Sequence, residues 1–296
     1  MKYVEPVYRP PSEAFGLIIQ ATLGCSHNKC AFCNMYKEKR FFIRNIEDVI
    51  NDIRKSRKEN LFVEKIFIAD GDALIIKTEN LKIILKEIKE IYPECKSVGI
   101  YGSPKSILLK SEKELKELYN LGLKIVYLGV ESGSEEVLKL INKGVSQKEM
   151  IEAGLKIKKC GFKLSATLIT GLGGTKYTNK HALESAKVIN KIKPNDLAVL
   201  KVMIDENTKL GKMVKDEKFT ELSLEESVNE IKLLVENLNV DEMVFRCNKL
   251  SNCINLSGVF NKEKLNFIKE INRVLDNEDF NEPIWENPKV PHGLGL

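Results

Sequence analysis

A chain of 296 residues with 43% hydrophobic content can bury a full core, as one large domain or two ordinary ones. Its net charge of +5 comes from 47 basic against 42 acidic residues interleaved along amphipathic segments, with no basic run interleaved with aromatics to mark a nucleic-acid footprint. No stretch approaches the roughly eighteen uncharged apolar residues that span a bilayer, and Met1 to Ser12 has charges and prolines where a signal peptide needs an apolar run, so a soluble cytoplasmic protein is expected. Seven cysteines, an odd number, then argue for metal or redox use rather than a disulfide framework.

Short apolar runs alternate with longer amphipathic ones, as in βα units around a parallel sheet. Strands are expected near Gly16–Leu23, Lys65–Ala69, Ser97–Tyr101, Lys124–Gly129, Lys163–Thr170 and Asp196–Ile204. Helices are expected at Ile46–Lys58, Thr78–Ile91, Glu112–Leu121, Glu135–Asn142, Ser146–Cys160 and Thr178–Ile192. Capping pairs Ser111 with Glu114 and Ser146 with Glu149 open two of them, and Gly122 and Gly161 close two. After Asp205 the rhythm changes to a helix at Leu224–Leu238, a possible strand at Glu242–Arg246, a helix at Lys262–Leu275 and an extended tail with Pro283, Pro288 and Pro291. The pattern alone fits an open or a closed α/β architecture equally.

Chemistry concentrates in the first loop, Gly24-Cys25-Ser26-His27-Asn28-Lys29-Cys30-Ala31-Phe32-Cys33, directly after an apolar strand. Three thiolates spaced C-x4-C-x2-C can hold three irons of a cubane and leave the fourth open to a ligand. The competing readings are a structural zinc site, for which His27 lies too close within the loop to complete the tetrahedron comfortably, and an inert loop. Cys95 and Cys160 fall at helix ends and read as structural. Asp70-Gly71-Asp72 and the glycine-rich run Gly171-Leu172-Gly173-Gly174 are ordinary turns taken singly, and the latter fails as a dinucleotide fingerprint by spacing and position.

Taken in order, these elements resemble the radical S-adenosylmethionine (SAM) superfamily over residues 14–205. The superfamily's loop is C-x3-C-x2-C with an aromatic before the last cysteine; Phe32 matches the aromatic, and one extra residue stands between Cys25 and Cys30. The resemblance implies a [4Fe–4S] cluster on Cys25, Cys30 and Cys33. Asp70, Gly71 and Asp72 correspond to the Gly-Gly-Glu-like element that receives the SAM amino group. Gly129-Val130-Glu131-Ser132-Gly133-Ser134 resembles the element of methylthiotransferase-like and coproporphyrinogen-oxidase-like members that meets ribose and methionine. Lys143, otherwise a surface lysine, matches a basic residue aimed at the SAM carboxylate, where relatives carry Arg. Gly171 and Gly173 lie in the element beside the adenine.

The fold implied is a partial (β/α)6 barrel over residues 1–205, with residues 206–296 as a C-terminal helical cap and tail packed on it as one unit. In a parallel barrel the loops after strands gather on one face, so distant residues converge there. The activity implied is reductive cleavage of SAM to a 5′-deoxyadenosyl radical that abstracts hydrogen from a substrate, fed by a low-potential donor of flavodoxin or ferredoxin type. The nearest branch joins methylthiotransferases, the elongator catalytic subunit and oxygen-independent coproporphyrinogen oxidase. With no room for an appended RNA-binding barrel, a cobalamin domain or a cysteine-rich tail, a small-molecule substrate is favoured over tRNA. The alternatives are an RNA-modifying enzyme of the same superfamily and a non-catalytic metal-binding or interaction protein on the same barrel. Arg246 and Cys247 are candidate catalytic residues on the substrate side, at the head of a segment running to Cys253; the bland reading is a connecting loop with buried thiols. His181 and His292 read as plain.

Overall fold

Side chains alternate across a strand, so each apolar run must bury one face against helices and offer the other to whatever the sheet curves around. The computed structural model describes residues 3–247, 252 and 254–276. After a one-turn 3-10 helix at Pro11–Glu13 the order is β1 (Leu17–Gln20), β2 (Thr22–Leu23), β3 (Phe42–Ile43), α1 (Ile46–Ser56) and β4 (Lys65–Ala69). A second 3-10 turn precedes α2 (Thr78–Ile91), β5 (Ser97–Tyr101), α3 (Pro104–Leu108), α4 (Glu112–Asn120), β6 (Leu123–Glu131), α5 (Glu135–Leu140) and α6 (Gln147–Lys159). Then come β7 (Lys163–Thr170), α7 (Gly174–Ile192), β8 (Asp196–Lys201), α8 (Lys209–Lys215), α9 (Leu224–Asn237), β9 (Val244–Cys247), β10 (Leu256–Val259) and α10 (Phe260–Asp276).

One sheet runs β1-β4-β5-β6-β7-β8-β9-β10, parallel from β1 through β9, with β10 antiparallel on the edge. Among the described residues β1 and β10 do not pair, so the sheet is an open, partial barrel. The six expected strands are its first six. The sheet then continues into β9 and β10, which the region after Asp205 contributes along with its helices. The first expected strand splits at Ala21, because Thr22 and Leu23 turn aside to pair with Ile43 and Phe42 and close the base of the cysteine loop. The tail from residue 277 onward, His292 and Cys253 lie outside the described residues.

The outer face holds the main core: Ile66, Ile68, Ile100, Val126, Leu128, Leu164, Ala166, Leu197 and Phe245 meet Ile53, Leu81, Ile157, Ile189 and Ile231 of the helices. Fully burying such a side chain contributes roughly 1.5–3 kcal/mol. The expected capping boxes form at Ser111 with Glu114 and at Ser146 with Glu149, and Gly122 and Gly161 take positive φ at helix ends. The inner face is unevenly filled. Ile18, Phe67, Ala69 and Tyr127 cluster across β1, β4 and β6, with buried Glu13 accepting from the Tyr127 hydroxyl. Ser165, Thr167, Ile169, Ala198 and Leu200 on β7 and β8 stay partly accessible. Among the described residues no helix is long and apolar enough to cross a membrane.

Gly133 fixes how α7 seats on the end of β6, since a Cβ there would stand 2.3 Å from the Glu184 carbonyl oxygen and 2.5 Å from its carbon. Backbone cannot yield as a side chain can, and overpacking costs about 1–3 kcal/mol. Gly133→Ala should therefore lower Tm by roughly 2–10 °C in thermal unfolding followed by circular dichroism; an unchanged Tm would show that α7 is not seated there.

Candidate active site

The cysteine loop leaves β2 through Gly24, whose positive φ of 74° suits glycine. Its amide donates to Asp70 Oδ2 at 2.9 Å and its carbonyl accepts from the Gly71 amide at 3.1 Å, tying the loop to the end of β4. Asp70 is fully buried; it also accepts from Gln20 at 3.2 Å and pairs with the Lys39 ammonium at 3.2 Å. Burial pushes the Asp70 carboxyl up, opposed by the Gly24 amide and Lys39.

On its other side the loop docks onto the segment after α5. The Ala31 amide donates to Ile141 O at 2.7 Å, Asn142 Nδ2 donates to Lys29 O at 3.0 Å, and His27 Nε2 lies 2.7 Å from Asn142 O. A Cβ on Gly144 would stand 2.5 Å from His27 Cε1. Within the loop, Asn28 adopts φ 42° and donates from Nδ2 to Tyr36 O at 2.8 Å, while Lys37 donates to Asn28 O and Cys30 O. The longer spacing between Cys25 and Cys30 is thus built into a tied turn.

Cys25, Cys30 and Cys33 are half-buried and feel one another electrostatically. Burial pushes the Cys30 thiol up to about 11; the Lys143 ammonium opposes this, and Glu131 and the other two thiols add to it. Burial raises the Cys33 thiol as well, so both of these sulfurs favour the thiol until a cation takes them as thiolates.

Glu131 ends β6 at φ 61°, and its Oε1 accepts from Lys143 Nζ at 2.9 Å, both side chains largely buried. Burial would lower the Lys143 ammonium's pKa, but Glu131 and the thiols outweigh it and hold it above its ordinary value. Among the described residues Glu131 Oε2, which is buried, has no hydrogen-bond partner. The same holds for the hydroxyl of Tyr36, which lies among Asp70, Tyr101, Cys25 and Cys33.

Several expected site residues are already engaged. Asp72 is fully buried: Oδ1 accepts from the Ser103 amide at 2.9 Å and Ser106 Oγ at 2.7 Å, and Oδ2 from Ser26 Oγ at 2.5 Å and Ser103 Oγ at 2.9 Å. It fastens the cysteine loop to α3. Ser132 Oγ lies 2.8 Å from His181 Nδ1 and accepts from the Ser134 amide at 3.0 Å. The Gly171 amide donates to Glu230 at 2.8 Å, and Gly173 caps α7. Phe32 packs near Leu172 in a small core shared with Ala31, Val137 and Ile141.

Arg246 and Cys247 stand apart from this group. Arg246 aligns with Ala198 low on the inner face and donates to Asp196 Oδ1 at 3.0 Å, with Lys163 on the other carboxylate oxygen at 2.9 Å. Cys247 points to the outer face and is buried in the main core. From the loop that follows, Asn252 reaches the sheet beside the site and donates to Val199 O at 2.8 Å.

Tyr36, Lys39, His181 and Glu230 are site residues that sequence reasoning passes over. His181 and Glu230 fall on the apolar stripes of their helices, where a buried polar residue is a signal in itself. His181 Nε2 donates to Ile169 O at 3.0 Å, which leaves Nδ1 to accept from Ser132.

Residues 19–189, more than half of the chain, match the Radical SAM superfamily, and the chain belongs to it. The superfamily implies a [4Fe–4S] cluster and SAM as cofactors, and a putative methylthiotransferase of Methanocaldococcus jannaschii is 24% identical over 51% of this chain and 34% of that protein. The heme chaperone HemW of Buchnera aphidicola is 24% identical over 188 residues, covering 61% of this chain and 49% of HemW, so the chain spans about half that relative's length. The tRNA uridine(34) acetyltransferase of Methanocaldococcus infernus is 30% identical over 122 residues, 41% of this chain and 23% of that protein. Among solved structures, methylornithine synthase superposes with a TM-score of 0.53 at 16% identity, over 90% of this chain and 82% of its own; this similarity is one of fold.

Glu230 holds the Gly171 loop and α7 at once, since Oε1 accepts from the Gly171 amide and Oε2 from Thr178 Oγ1 at 2.6 Å. Glu230→Gln puts a donor against one of these donors at a cost of about 1–3 kcal/mol. Hydrogen exchange at the Gly171 amide should accelerate at least fivefold in the variant; unaltered protection would remove Glu230 from the site's support.

Proposed function

We propose that Cys25, Cys30 and Cys33 ligate a [4Fe–4S] cluster at the mouth of the barrel and that SAM binds between it and the loops after β4, β6 and β7. The single observation that carries this reading is Glu131. A buried carboxylate oxygen without a partner among the described residues, whose other oxygen accepts from a lysine at 2.9 Å and which acts electrostatically on the Cys30 and Cys33 thiols, suits a ligand with hydroxyl or ammonium donors. When bound, the cluster and SAM supply one-electron cleavage of SAM and a 5′-deoxyadenosyl radical for hydrogen abstraction.

The chain's own residues bind, orient and exclude water. Glu131 Oε2 accepts from a ribose hydroxyl while Lys143, held by Oε1, offers its remaining donors to the methionyl carboxylate. The Asp70 and Gly71 carbonyls face the SAM amino group, and Asp72 fixes their direction through Ser26, Ser103 and Ser106. Gly171, held by Glu230, keeps the adenine side open, and Phe32 and Leu172 give it an apolar floor.

Substrate meets this assembly over the accessible inner face of β7 and β8, where Ser165, Thr167, Ile169, Ala198 and Leu200 leave space that Phe67 and Tyr127 occupy on the other half. A small molecule suits that space. The match to methylornithine synthase over most of its length supports this, since its named product is a small amino acid. The tRNA-enzyme relative shares a much smaller part of its length. Electrons come from a low-potential flavodoxin- or ferredoxin-type protein in the cytoplasm.

Anaerobically reconstituted protein should be brown and, once reduced with dithionite, should convert SAM to methionine and 5′-deoxyadenosine. The Cys25→Ala, Cys30→Ala, Cys33→Ala triple variant should lose the broad visible absorption and the cleavage together; a full cluster in that variant would move the site elsewhere. Glu131→Gln should keep the cluster yet bind SAM roughly ten- to a hundredfold more weakly, since a hydrogen bond to a charged group contributes ~1.5–3 kcal/mol. Equilibrium dialysis against labelled SAM measures this, and wild-type affinity in the variant would remove Glu131 from the binding site.

A further inference from the structure

The mouth of the barrel holds two buried polar side-chain atoms without partners, and they differ in kind. Glu131 Oε2 can only accept, whereas the Tyr36 hydroxyl can donate. Tyr36 is 3% exposed, and an O–H left unpaired at that depth needs an acceptor that none of the described residues supplies.

The ring around that hydroxyl is fixed. Tyr8 packs edge-on with centroids 5.4 Å apart, and the Lys39 ammonium stands 5.6 Å from the centroid. On the opposite side Gly71 makes room, since a Cβ there would lie 2.7 Å from Tyr36 Cε2 and 3.0 Å from Cys25 Cβ. The glycine after Asp70 therefore serves Tyr36 as well as the backbone. Asp70, Tyr101, Cys25 and Cys33 surround the hydroxyl, with burial the largest influence on it.

We infer that the Tyr36 hydroxyl donates a hydrogen bond to the carboxylate of the methionine arm of SAM. The inference rests on the SAM site proposed above and extends it to a residue outside the motifs. Position selects the arm. Tyr36 sits against Cys25 and Gly71, at β4, whereas the Gly171 loop belongs to β7, three strands along the sheet and on the order of 14 Å away. The ligand end beside the cysteines is the one that reaches iron, the aminocarboxypropyl arm. Of its groups the ammonium only donates and the sulfonium accepts nothing, so the carboxylate is the acceptor for Tyr36. Lys143 and Tyr36 then hold the carboxylate from two sides, one by charge and one by direction.

Tyr36→Phe removes the O–H and leaves the ring packing. The variant, reconstituted to full cluster content, is compared with wild type for equilibrium binding of two probes, SAM and 5′-methylthioadenosine, which keeps the adenosine and sulfur but lacks the arm. SAM should bind about tenfold more weakly and 5′-methylthioadenosine as before, with the shift of the reduced cluster's electron paramagnetic resonance signal requiring proportionately more SAM. Equal weakening of both probes places the hydroxyl on the adenosine and overturns the inference. Unchanged SAM affinity overturns it as well. Wild-type protein that holds a cluster but binds no SAM fails the proposed function itself, a result distinct from either.

Discussion

The Asp70 carboxylate is the joint on which the site depends. It lies wholly inside the protein at the end of β4 and accepts from the Gly24 amide, Gln20 and Lys39 together, so three separate stretches of chain converge on one anion. A buried charge is tolerated only with such partners, and removing one partner of a buried pair costs about 3–5 kcal/mol. Lys39 in turn is satisfied by the carbonyls of Val4 and Pro6. The N-terminal segment is thereby drawn against β1, and the start of the cysteine loop is fixed before any cluster is present. The Asp70 carboxyl is pushed up by its burial, which marks the strain of holding a charge there and the work its partners do against it.

Around that joint the sheet divides its labour by face and by half. The outer face is a continuous apolar core that sets the strands in register. The inner face is closed by aromatics and Glu13 toward β1 and left accessible toward β7 and β8. Because β1, β4, β6 and β7 are parallel, the chain leaves them at the same rim, β1 through the short β2 that leads into the cysteine loop, and hydrogen bonds between loops replace any need for one rigid element to carry the whole site. Asp72 ties the cysteine loop to α3, Asn142 and Gly144 tie it to the segment after α5, and Glu230 ties the Gly171 loop to α9.

Much of this was legible in the sequence because periodicity reports burial. The first six strands, most helices and the capping boxes follow from residues that alternate or recur at helical spacing, and the cysteine triplet announces itself by composition. What stayed hidden depends on tertiary contact. Two-residue strands such as β2 and β3 carry no period, and β10 joins the sheet only because β9 offers it an edge. Asp70 and Asp72 read as one acidic turn, yet one carboxylate holds an amide and an ammonium while the other holds serines, a difference set by residues 31 to 50 positions away. Arg246 read as the head of a substrate loop; register with Ala198 puts it low on the inner face beside Asp196. Glu230 carried a usable signal, an acid on an otherwise apolar stripe of α9, and His181 carried the same signal on α7.

Most polar residues around the cysteine loop are satisfied within the chain, and the few that are not show what a ligand there would have to offer. The chain satisfies Asp72, Ser132, His181 and Glu230 internally, and these hold loops in place. Among the described residues it leaves one acceptor on Glu131 and the hydroxyl of Tyr36 unmatched, both in electrostatic reach of the cysteine thiols. Leaving either so costs about 1–3 kcal/mol in the ligand-free chain, which is recovered when a complementary molecule arrives. An internally complete network would have been more stable alone and would have had nothing to offer. At this barrel mouth the unsatisfied atoms, Glu131 Oε2 and the Tyr36 hydroxyl, stand where the proposed ligand would meet them, whereas Glu13 Oε2, also unpaired among the described residues, lies in the aromatic closure toward β1.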